Sequence, residues 1–92
     1  MVPALTKAAR PALRDQIERA SSSIALNLAE GSARLTRRDR HHFFSMAQGS
    51  AAECAAALDI LRVTGQLDSA NATRAKHKIT RIVQMLVGLR RC

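Results

Sequence analysis

The chain has 92 residues, room for one domain and not for two. Fifteen lysines and arginines stand against seven aspartates and glutamates, for a formal charge of +8 and an isoelectric point near 11.3. With 47% hydrophobic and 24% charged residues it is neither a disordered nor a collagen-like chain. The absence of Trp and Tyr, with only two Phe, argues against β architectures and against an aromatic RNA-stacking sheet.

In chain order, Val2 to Arg10 has the length of a helical turn or two before Pro11. Proline is tolerated in the first helical turn, so a helix is predicted from about 11 to 31. Its apolar face runs Leu13, Ile17, Ala20, Ile24, Leu28, a helical stripe in which Ser21, Ser22 and Ser23 leave room for close packing. Gly31 is expected to end it. A loop from Ser32 to Leu35 leads to Thr36, which with Asp39 three residues on reads as a helix cap. The second predicted helix, about 36–65, repeats Phe44, Ala47, Ala51, Cys54, Leu58 and Leu61 at spacings of three and four. Gly49 inside it costs roughly 1 kcal/mol relative to alanine and is expected to mark a close crossing with another backbone. Asp68 or Ser69 is placed to cap the last helix, about 69–90, with a stripe of Ala72, Ala75, Ile79, Ile82, Leu86 and Leu89. The fold class is therefore all-α: one antiparallel up-and-down bundle, residues 1–92, of three long helices plus a short N-terminal helix over 1–10.

Seventeen of the hydrophobic residues are alanine. The core is accordingly thin, and burial in an oligomer is one route to more stability. Cys54 falls on the apolar stripe and Cys92 is the last residue, which reads as two free thiols in a reducing, cytoplasmic setting. No apolar run has the length of a signal-peptide core at the N-terminus or of a membrane span anywhere.

The densest cationic cluster is Arg34, Arg37, Arg38, Arg40, His41 and His42, with Asp39 its one acid. Cations in the first turn of a helix oppose its dipole. They also supply what a phosphate site needs: arginine forks beside free N–H groups at a positive helix end. The same pattern fits a solvated basic loop that only aids solubility. A second set is Arg74, Lys76, Lys78, Arg81, Arg90 and Arg91, of which Arg74, Lys78 and Arg81 share one face of the last helix and Arg90 and Arg91 suit its last turn; the set reads as a solvated face or as a track for RNA or DNA. Adjacent His41 and His42 point about 100° apart and do not converge on one ion, so no metal site is expected. Glu30 and Glu53 call for partners, with Arg19 and Arg34 as candidates, and read as structural. No nucleophile elbow and no phosphate-binding glycine loop occurs, so neither catalytic residues nor a cofactor is expected.

Two segments carry a family likeness: Gln16 through Ile24 running into Asn27-Leu28-Ala29-Glu30-Gly31, and Phe43 followed by Ala47-Gln48-Gly49-Ser50 and Glu53. With Met85-Leu86-Val87-Gly88-Leu89 at the end, they resemble the bacterial four helix bundle protein family, whose founding members are encoded by intervening sequences within 23S ribosomal RNA genes. The resemblance covers about Leu13 to Leu89. It implies an antiparallel four-helix bundle assembling as a ring-like homopentamer. It also implies a relationship to the accessory variability protein of diversity-generating retroelements, a basic pentamer that works with a reverse transcriptase and its RNA. The chain departs from the pattern at its N-terminus, where the segment before Pro11 is too short for a full bundle helix: the first helix is a stub, or the natural start lies upstream.

By that resemblance Gln16, Arg19, Asn27, Glu30, Gly49, Ser50 and Glu53 hold family positions and read as structural, with Asn27, Glu30 and Glu53 in one polar cluster near the Gly31 loop. The expected function is that of a non-enzymatic, basic, oligomeric module that binds nucleic acid. Arg34, Arg37, Arg38, Arg40, His41, Arg74, Lys78 and Arg81 are the candidate contacts. The alternative is a scaffolding module that docks an acidic protein partner.

Overall fold

The computed structural model describes residues 11–91, and it is all helical: α1 (Pro11–Ala33), α2 (Arg37–Val63) and α3 (Ser69–Arg91). The short N-terminal helix expected over 1–10, and Cys92, lie outside the described residues. The middle helix packs against both neighbours, which meet each other little. Short connections make each consecutive pair antiparallel.

The central position of α2 follows from the width of its apolar face. All six stripe residues from Phe44 to Leu61 are buried, and Ser50 and Ala57 are buried beside them. The extra width lets one helix serve two partners. Ile17, Ala20 and Ile24 from α1 and Ala72 and Ile79 from α3 join Ala51, Cys54, Leu58 and Leu61 in the main core. A smaller cluster of Phe44, Ala47 and Leu86, with Leu28 and Ile82 against it, fills the end nearest the α1–α2 loop. Leu89, expected on the α3 stripe, is 41% exposed, because the core ends one turn earlier at Leu86.

The helix ends are built by local hydrogen bonds. Thr36 is in extended conformation and its Oγ1 accepts the Asp39 N–H at 3.1 Å, the cap anticipated from the sequence. At the other end of α2, Gly65 takes φ +76°. The Gly65 N–H bonds the Arg62 carbonyl and the Gln66 N–H bonds the Leu61 carbonyl, a Schellman closure that needs a residue at ease in left-handed conformation. Asp68 caps α3 by accepting the Asn71 N–H on Oδ1 at 2.8 Å.

Two glycines behave differently from expectation. Gly31 does not end α1, which runs on to Ala33, so the loop is Arg34–Thr36. Gly31 is buried, and a Cβ there would sit 2.6 Å from Phe44 Cε1. Its role is close approach of α1 to the Phe44 ring, not a left-handed cap. Gly49 is exposed with nothing within 4 Å of a would-be Cβ, so it marks no crossing among the described residues. The tight crossing lies one residue on, where Ser50 Oγ donates to Ser23 Oγ at 2.7 Å.

These environments give opposite expectations for the same substitution. Gly31→Ala must displace the buried Phe44 ring and should lower unfolding free energy by about 1–3 kcal/mol. Gly49→Ala, in an open helix interior, should raise the stability of the isolated chain by about 0.5–1 kcal/mol. Denaturant melts of the two variants, beside the parent, check both signs.

Candidate nucleic-acid interface

The cations singled out from the sequence divide into three groups by what they touch. Arg34 and Arg40 are engaged by their own loop. Arg34 pairs with Glu30 one turn back at 3.3 Å, and its guanidinium carbon stands 4.8 Å over the centre of the Phe43 ring. Arg40 Nη1 donates to the carbonyls of Arg34 and Leu35, tying the loop to the start of α2. Arg37 and Arg38 are exposed and form no ion pair among the described residues. They occupy the first turn of α2, where Thr36 satisfies the Asp39 N–H and leaves those of Arg37 and Arg38 pointing outward. The third group, Arg74, Lys78 and Arg81, is exposed on the side of α3 opposite Ala72, Ile79 and Leu86.

His41 does not belong with these cations. Its Nε2 is shut off from solvent and has no hydrogen-bond partner among the described residues. It lies two heptads from Ala55, which packs against the core, so this nitrogen turns toward the bundle and is closed to a phosphate. Its neighbour His42 is exposed and packs edge-on against Phe43, with ring centres 5.2 Å apart.

The polar residues carried by the family likeness do not form one cluster. Asn27 Nδ2 donates to the Ser23 carbonyl and to Ser23 Oγ at 2.8 and 3.0 Å. Glu30 is with Arg34, as the sequence suggested. Glu53, in contrast, shares an open concavity between α1 and α2 with Gln16, Arg19, Ser23 and Ser50. Along α1 that is some eleven residues, roughly 16 Å, from Glu30. Glu53 and Arg19 form no ion pair with each other there. Antiparallel pairing explains the split, since each turn along α2 faces one turn further back on α1.

Sequence reasoning missed the Lys76–Asp59 ion pair at 2.8 Å, which straps α3 to α2, because residues 17 positions apart give no spacing signal. It gathered the six basic residues of the last helix as a set but did not register that no acid accompanies them, or the contrast with α1. Six of the fifteen basic residues are in α3, which holds no acid at all, whereas α1 has two arginines against three acids. Since α1 and α3 flank α2, the positive charge is concentrated along one edge of the bundle. This could have been counted in the sequence, but it acquires a direction only when the helices are placed.

Among the described residues no three His, Cys, Asp or Glu side chains assemble into a metal site, and no helix is long and apolar enough to cross a membrane. Cys54 is a buried free thiol, with Sγ 3.6 Å from Ser21 Oγ. A small antiparallel helical bundle with a basic edge defines a class rather than an activity, and comparison narrows the class. The chain matches the 23S rRNA-intervening sequence proteins over residues 2–88, and it belongs to that family. No curated protein matches it.

Two carboxyls are held below their ordinary value of 3.8: Asp59 chiefly by the hydrogen bond from Lys76, and Asp68 chiefly by the backbone N–H of Asn71. A carboxyl whose value falls on folding stabilises the fold above its unfolded value and loses that contribution as pH drops through the folded one. Unfolding free energy should therefore change little near neutrality and decline below about pH 4. Asp68→Ala should lower stability at pH 7 and flatten part of that acid limb, as read by denaturant unfolding across pH.

Proposed function

We propose that this protein is a non-enzymatic, basic homo-oligomer that binds nucleic acid, RNA or DNA, through an arginine-rich surface. The observation that carries the reading is the acid-free α3 edge, with Arg74, Lys78 and Arg81 exposed along it and Arg37 and Arg38 outside any ion pair among the described residues at the end of the bundle. Polyanion binding draws on such cations through release of condensed counterions, and it is independent of base sequence. Membership in a family encoded within ribosomal RNA genes is in keeping with this but names no ligand. The setting proposed is the cytoplasm.

Self-association is supported by an exposed line of residues along α2. His42, Met46, Gly49, Glu53, Ala56, Ile60 and Val63 follow one another at alternating spacings of four and three, and every one is exposed. Met46, Ile60 and Val63 are sizeable apolar side chains in that line, at 46, 45 and 73% exposure. Such a seam is the kind of surface that helices bury against one another, and small residues at Gly49 and Ala56 let backbones come close. The homopentamer implied by the resemblance is the proposed assembly.

The test is a salt titration of binding to single-stranded RNA and duplex DNA, with mass followed by light scattering. At about 50 mM salt an oligomer should bind both, and at about 200 mM affinity should fall by orders of magnitude. Replacing Arg74, Lys78 and Arg81 with alanine should weaken binding to all sequences alike and reduce the salt slope by about 1 for each phosphate no longer neutralised. Absence of binding at low salt by a folded oligomer would overturn the nucleic-acid reading. It would leave the edge for an acidic protein partner, recoverable from nuclease-treated extract.

A further inference from the structure

Beside the α1–α2 loop an open concavity of about 450 Å³ is lined by Leu26, Asn27, Ala29, Glu30 and Phe43. Its size falls in the lower part of the range of small-molecule sites, roughly 300–1,000 Å³. Phe43 is half-buried and has two neighbours at its ring. Arg34 stands over its ring, and His42 meets it edge-on. Arg34 is in turn held by Glu30 yet keeps 43% of its side chain exposed. A guanidinium held at two points and still partly exposed is a planar surface part of whose ordering cost has already been met. Unpaired bases stack on arginine planes as they do on aromatic rings.

We infer that Arg34 and Phe43 form a stacking platform for one unpaired base, and that the base it accepts best is guanine. The inference rests on the nucleic-acid reading above and specifies its ligand as single-stranded. The choice of base follows from the hydrogen-bonding groups at the rim. Asn27 spends its amide N–H groups on Ser23, leaving its carbonyl oxygen, and Glu30 offers a carboxylate. Both are acceptors. Guanine presents two adjacent donors on its pairing edge, N1–H and the N2 amine, whereas uracil presents one. A duplex keeps its bases stacked inside and has none to offer. Arg37 and Arg38, a few residues away at the start of α2, are placed to hold the flanking phosphates.

The experiment compares an eight-nucleotide uridine RNA carrying one central guanosine with the all-uridine RNA and with a duplex of equal length. Each is titrated against the parent protein and against Arg34→Lys and Phe43→Leu. Lysine keeps the charge of Arg34 but removes its plane, so purely electrostatic binding would not register the change. The platform predicts that the guanosine RNA binds more tightly than the all-uridine RNA. It also predicts that each variant loses about tenfold in affinity for the guanosine RNA, in line with the worth of one stacked base, and is unchanged toward duplex. Circular dichroism confirms the fold of each variant; if Phe43→Leu is unfolded, Arg34→Lys decides. Parent-like binding of the guanosine RNA by Arg34→Lys overturns the platform while leaving the charge-based reading intact. Equal affinity of the parent for the two single strands overturns the guanine assignment. Failure of the parent protein to bind any of the three at low salt overturns the platform and the nucleic-acid reading together.

Discussion

The bundle depends above all on how closely α1 can approach α2. At one end Gly31 lies against Phe44 with no room for a methyl group. In the middle Ser23 and Ser50 share a hydrogen bond, with Ala20 and Ala51 buried among their neighbours. Further along, Ser21 meets the thiol of Cys54. Apart from the Phe44 ring, every one of these residues is small. With larger side chains the helices would stand further apart, and the few leucines and isoleucines present could not close the gap. Close packing is how an alanine-rich sequence obtains a dense core from little apolar volume.

Much of this was legible in the chain itself. The three stripes, the Thr36 and Asp68 caps and the stop at Gly65 are local signals of three- and four-residue periodicity and turn chemistry, and they are found where those signals lie. What the sequence hid were relations between helices. Gly31 and Gly49 look alike in a helical pattern, yet one is pressed against an aromatic ring and the other faces nothing. Ser50 and Ala57 extend the α2 face only because a second partner lies on that side. The Arg34–Phe43 pairing has no periodic signature, although its residues are only nine positions apart, because it spans a loop whose course Arg40 helps to set by gripping two carbonyls.

The cations show why a count of charges is a poor guide to a surface. Eight basic or imidazole side chains stood out in the sequence as one kind of residue. In the fold Arg40 is a loop fastener, Arg34 is the cover of an aromatic ring, and His41 is a half-buried ring with an unsatisfied nitrogen. Five of the original eight, Arg37, Arg38, Arg74, Lys78 and Arg81, are exposed with no ion pair or ring contact among the described residues. The family positions divide in a similar way: Asn27 and Ser50 are fastened by hydrogen bonds to Ser23, whereas Arg19 and Glu53 look across a groove without closing it.

The uneven loading of the helices has a consequence for motion as well as for binding. A body with its cations along α3 and slightly more acids than bases along α1 possesses an electric moment with a component across the bundle, from α1 toward α3. Near a polyanion, within about 8 Å at physiological salt, such a moment exerts a torque. The molecule turns about its long axis until α3 leads, so its orientation is selected during approach, before any side chain has met a phosphate.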